Sequence, residues 1–99
     1  MARELMTKTR NSIKKTLPGI VDNLKNINVN GRKMGCCGYV SNPKNGKTIY
    51  LCTDVLSAPY GSYYYRTAPE MNAPTSLHGN NCWAKTFESF IEKICKEIA

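Results

Sequence analysis

Residues 33–53 restrict the possible folds of this chain more than any other stretch. Lys33-Met34-Gly35-Cys36-Cys37-Gly38-Tyr39-Val40-Ser41 and Lys47-Thr48-Ile49-Tyr50-Leu51-Cys52-Thr53 read as two strands, and Asn42-Pro43-Lys44-Asn45-Gly46 between them supplies turn residues. They predict a β-hairpin. Pairing Val40 with Ile49 sets Tyr39 opposite Tyr50 and Cys37 opposite Cys52 on one face, and leaves Met34, Cys36, Val40, Ile49 and Leu51 on the apolar face. Gly35 and Gly38 weaken the first strand and predict a bulge or a close backbone approach there.

Around this hairpin the chain divides into further elements. Ala58-Pro59-Tyr60-Gly61 is a turn signal, and Ser62 to Thr67, rich in tyrosine, predicts a third strand, so that 32–67 forms a three-stranded antiparallel meander. Residues 68–81 hold Pro69, Pro74, His78 and Gly79 and read as a long loop. From 82 to 98 an apolar stripe of Trp83, Phe87, Phe90, Ile91, Ile94, Cys95 and Ile98 predicts a helix capped by Asn80 or Asn81. Residues 1–28 carry Met6, Ile13, Leu17, Ile20, Leu24 and Ile27 at helical spacing and predict a helical arm, kinked or split at Pro18-Gly19. Asn26, Asn28 and Asn30-Gly31 then turn the chain. Ninety-nine residues support one core. The expected architecture is a single α+β domain of order α-β-β-β-α, with both helices on one face of the sheet.

Charge is unevenly placed. The chain is +7, and Arg3, Lys8, Arg10, Lys14, Lys15, Lys25, Arg32 and Lys33 against Glu4 and Asp22 place a surplus of six in its first third. Lys8, Arg10, Lys14, Lys15, Lys25, Arg32 and Lys33 are therefore candidate contacts for nucleic acid or another polyanion. A solvated face that merely maintains solubility is the plainer alternative. Tyr60, Tyr64 and Arg66 form a second candidate surface for stacking or anchoring, although alternation in a strand exposes at most half of neighbouring tyrosines.

Five cysteines are many for this length, but the number is odd and the start of the chain lacks the apolar run of a secretory signal, which favours reduced thiols in a soluble, cytoplasmic protein. No window is long and apolar enough to span a membrane. Cys52, His78 and Cys82 are the weak metal candidates, with no Cys-x2-Cys knuckle among them. A lone histidine with no catalytic spacing around it argues against an enzyme, and no cofactor is implied.

The order α-β-β-β-α with a basic surplus resembles the layout of double-stranded-RNA-binding domains. The resemblance ends at topology, because Asn80-Asn81-Cys82-Trp83-Ala84-Lys85 offers one lysine where those domains open their second helix with a cluster. The residues favour a small non-enzymatic module that binds nucleic acid or a polyanion through its first helix. The alternative is an interaction or inhibitor protein, of the kind mobile elements encode, that docks on a host complex such as a nuclease; a cysteine-based zinc or redox protein is the remote one. Oligomeric state is open.

Overall fold

A computed structural model describes residues 5–54 and 63–99. The turn expected at Ala58 to Gly61, with Tyr60, lies outside the described residues, as does Arg3. The elements are α1 (Leu5–Thr16), β1 (Val21–Asp22), β2 (Lys25–Val29), β3 (Arg32–Ser41), β4 (Thr48–Asp54), β5 (Tyr63–Ala68), β6 (Cys82–Ala84) and α2 (Phe87–Ile98). One antiparallel sheet runs β1-β3-β4-β5-β6, with β2 also paired to β3.

The central hairpin has the expected register, with Val40 opposite Ile49, Tyr39 opposite Tyr50 and Cys37 opposite Cys52. Its turn does more than reverse the chain. Asn42 Nδ2 and Asn45 Nδ2 donate to the Ile98 carbonyl at 2.8 and 3.2 Å, so turn side chains satisfy an unpaired carbonyl at the end of α2.

Both helices lie on one face. Ile13 of α1 and Phe90, Ile94 and Ile98 of α2 join Cys36, Val40, Ile49, Leu51 and Tyr65 of the sheet in a single buried cluster. Between α1 and the sheet sits a small polar knot. Thr53 Oγ1 accepts from the Cys36 amide at 3.1 Å, and the Cys36 Sγ lies 3.9 Å from Thr9 Oγ1. Burial pushes the Cys36 thiol up from its ordinary pKa, keeping it protonated in this knot.

The helical arm ends earlier than its apolar periodicity implies. α1 stops at Thr16, before Pro18 and Gly19, and the second half of the expected arm is strand. Ile20 and Leu24 do reach the core, as the stripe required, but from extended chain. Asn23, Asn26, Asn28 and Asn30 are poor helix formers, and Asn30-Gly31, both at positive φ, makes a two-residue turn joining β2 to β3. The sheet therefore gains an edge strand beyond the expected three.

That edge strand has a break in it. Asp22 faces Val40 and Lys25 faces Cys37, so β1 and β2 keep one register across Asn23 and Leu24. At the break, Asn23 Oδ1 accepts from the Tyr39 amide at 2.7 Å, standing in for a ladder bond. Gly38 supplies the predicted close approach: at φ +147°, a Cβ there would lie 2.9 Å from both the Asn23 carbonyl oxygen and the Leu24 Cα. The predicted bulge is also present, where Ile27 pairs with Gly35 but Asn28 with Lys33, leaving Met34 without an opposite number.

At the other end of the chain, Cys82 to Ala84 form β6 against β5 rather than opening the last helix. The helix starts at Phe87, and its cap is Thr86, whose Oγ1 accepts from the Ser89 amide at 3.1 Å, not Asn80 or Asn81. The aromatic Trp83 suits a strand, and Thr-x-x-Ser is the true start signal. The 69–81 connection includes one 3-10 turn at Thr75–Leu77.

Gly38→Ala is expected to lower stability by roughly 1–3 kcal/mol or more, because it combines a forbidden φ with a backbone collision. Gly46→Ala, at φ +75° but in open space, should cost less. Denaturant midpoints of the two variants measure the difference.

Candidate functional site

The structure separates the cationic candidates instead of gathering them. Arg10 is committed to Asp22: its Nε lies 3.0 and 3.1 Å from the two carboxylate oxygens, and its terminal nitrogen 2.9 Å from Oδ2. This bidentate pair ties α1 to β1, and the Asp22 side chain is only 7% exposed. Lys8 lies with its Nζ 4.4 Å above the Phe87 ring, facing α2. Lys14 and Lys15 are exposed at the end of α1. Lys25 is exposed on β2 in the register position of Cys37, and so belongs to the face of the sheet opposite the helices. Arg32 is exposed and Lys33 follows it at the start of β3, one strand length, about 30 Å, from the turn that carries Lys44 and Lys47. Among the described residues these cations lie on separate parts of the surface.

Asp22 illustrates how the Arg10 pair is balanced. Burial pushes its carboxyl up, but the Arg10 hydrogen bonds, the Leu24 amide and the charges of Arg10 and Lys14 outweigh burial and hold it below its ordinary 3.8. A folded-state pKa below the unfolded one adds stability that is complete above about pH 4 and is lost as pH falls through the folded value.

Of the second candidate surface, Tyr64 and Arg66 come together, while Tyr60 lies outside the described residues. Tyr63 and Tyr65 point into the helical layer, where Tyr63 packs 5.3 Å from the Phe90 ring and Tyr65 is buried. Burial, the Cys82 thiol and Glu97 push the Tyr65 hydroxyl up to about 12. Tyr64 points the other way. Its ring centroid lies 5.0 Å from that of Trp83, its cross-strand neighbour, at an interplanar angle of 45°. The Arg66 guanidinium stands 5.5 Å from the Tyr64 centroid, and its Nε donates to Asn81 Oδ1. Trp83 is 43% exposed. Trp83 is the member of this surface that the sequence conceals, because its spacing also fits the stripe of the last helix.

Beside these rings, on the same face, the 69–81 connection folds back over Tyr39 and Tyr50. The Tyr39 hydroxyl donates to the Ala73 carbonyl at 2.5 Å, His78 Nε2 sits 3.0 Å from Tyr39 Oη, and the imidazole stacks 5.3 Å from Tyr50. Asn23 Nδ2 donates to Asn72 Oδ1 at 2.7 Å, joining this loop to the edge strand. His78 is thus a packing residue of the loop.

The metal candidates do not meet. Cys52 shares the helix-free face with Cys37, His78 serves the loop, and Cys82 pairs with Tyr65 on the opposite face. Among the described residues no three His, Cys, Asp or Glu side chains group as a metal site. A separate groove of about 670 Å³ lies between the helices, lined by Lys8, Phe87, Glu88, Ile91, Cys95 and Lys96 among others. No helix among the described residues is long and apolar enough to cross a membrane.

Comparison with protein-family models, characterised proteins and solved structures finds no match. The site therefore has to be argued from its own chemistry.

Two measurements probe this geometry. Asp22→Asn is expected to cost about 1–3 kcal/mol at neutral pH and to flatten the loss of stability below about pH 4, read from denaturation at several pH values. Mild treatment with a small-molecule disulfide should bridge Cys37 to Cys52 while Cys36 and Cys95, both buried, remain reduced; peptide mapping by mass spectrometry identifies the pair.

Proposed function

We propose that this protein is a non-enzymatic module that binds a polyanion, nucleic acid foremost. The observation that carries the reading is a set of cations: Lys14, Lys15, Lys25, Arg32, Lys44 and Lys47 are all exposed, and none forms a salt bridge with a carboxylate among the described residues. Among the described carboxylates, Glu70 is exposed in the 69–81 connection. Asp22 is matched by Arg10, and Glu88, Glu92 and Glu97 sit on α2, where Glu92 pairs with Lys96 at 3.2 Å.

Scattered single charges on a body of 37 × 29 × 23 Å suit a chain of phosphates better than one compact anion. A polymer can touch several such positions and releases counterions at each contact. The first helix contributes Lys14 and Lys15 to this surface, with Arg10 withdrawn into the ion pair. The net charge of +7 also attracts such a partner from a distance, an effect that salt screens.

Binding to nucleic acid, measured by anisotropy over a salt series, should weaken with a log–log slope of roughly 0.7–0.9 per phosphate contacted. Replacing Lys14 and Lys15 together by Gln is expected to reduce that slope by up to about two such contacts. Salt-insensitive binding overturns the reading. So does retention from a lysate by a protein partner that survives nuclease treatment while nucleic acid alone fails to bind; that result assigns an interaction or inhibitor role instead.

A further inference from the structure

We infer that the helix-free face of the sheet is a stacking platform for unpaired bases, so that the partner is a single-stranded nucleic acid. The inference rests on the polyanion reading above and narrows it. Lys25, Cys37, Cys52, Tyr64 and Trp83 are successive cross-strand partners, one from each of β2 to β6. They form a transverse row about 19 Å long at the ordinary strand spacing.

The row has chemically distinct ends. At one end Lys25 offers an exposed ammonium for a phosphate; at the other, Tyr64 and Trp83 offer two aromatic faces with Arg66 alongside. Between them the Cys37 and Cys52 thiols lie against the Tyr50 and Tyr64 hydroxyls. No residue of the row is acidic. The loop packs His78 on Tyr39 and Tyr50, and at the far end of the row Trp83 is 43% exposed.

An exposed Trp beside a Tyr and an Arg is well matched to a flat, polarisable ring. Bases in a duplex already stack on one another and present no free face, whereas unpaired bases do. The 45° tilt between the two rings suits two successive bases, one on each ring, rather than a single large plane lying across both.

Trp83 is the chain's only tryptophan, so its fluorescence reports directly on the platform. The full chain is titrated with an oligothymidylate and an oligouridylate of about ten nucleotides, and with an abasic strand of equal length that has the phosphates without the bases. The expected result is quenching and tighter binding with the base-bearing strands. Trp83→Ala and Tyr64→Ala should each weaken base-bearing strands by roughly 5- to 150-fold while leaving the abasic strand unaffected, and Trp83→Phe should keep most of the affinity. Equal affinity for base-bearing and abasic strands, or equal affinity for a duplex, overturns the platform while the polyanion reading stands. Binding to none of these strands overturns both.

Discussion

A pleated strand can give only every second side chain to a core, and the rest of this structure depends on how β3 and β4 distribute theirs. Cys36, Val40, Ile49 and Leu51 go to the helical side, where they are fully buried. Cys37, Tyr39, Tyr50 and Cys52 must then go to the other. A shift of one residue would exchange these sets, placing thiol and phenol groups under the helices and aliphatic groups in water. Gly38 and the Asn23 side chain hold the edge strand in that register, because the strand passes too close to β3 there for any Cβ. The helices are laid onto a pattern already decided.

That pattern is why the central hairpin was legible in the sequence down to individual pairs. Local alternation and an Asn-Gly turn determine register without reference to anything distant. Ile20 to Val29 was not legible in the same way. Ile20, Leu24 and Ile27 fit a helical period, and both a helix and a broken edge strand can deliver Ile20 and Leu24 to the core. What decides between them is the packing of Leu24 against Gly38 and the anchoring of Asp22 by Arg10, contacts between residues 14 and 12 positions apart in the chain. Trp83 was misplaced for a related reason: a large apolar residue just before a helix extends the helical stripe by one position, and only its pairing with Tyr64 shows that it belongs to a strand.

The candidate site divides along the same line. Lysines are visible as charge in any sequence, but their grouping is a property of the fold, and here the fold spreads them from the end of α1 to both ends of β3. Arg10 shows how far a residue type can mislead: the same guanidinium that would suit a phosphate is occupied by a carboxylate nine-tenths withdrawn from water. The aromatic row is the converse case. Its members come from strands distant in sequence, so no local motif announces it, yet cross-strand pairing brings them into line.

The short β6 has a bearing on how any extended partner can approach. It forms one outer edge of the sheet, and the Lys93 ammonium donates to the Trp83 carbonyl at 2.9 Å, occupying an acceptor that a docking strand would need. Three residues of ladder, one of them already claimed by a side chain from α2, give a poor template for continuing the sheet. Access by lateral zippering of backbones is thus discouraged at this border, both for a foreign segment and for a second copy of the chain. A long flexible visitor is steered to lie across the strands instead of alongside them, where side chains rather than amides determine what it meets.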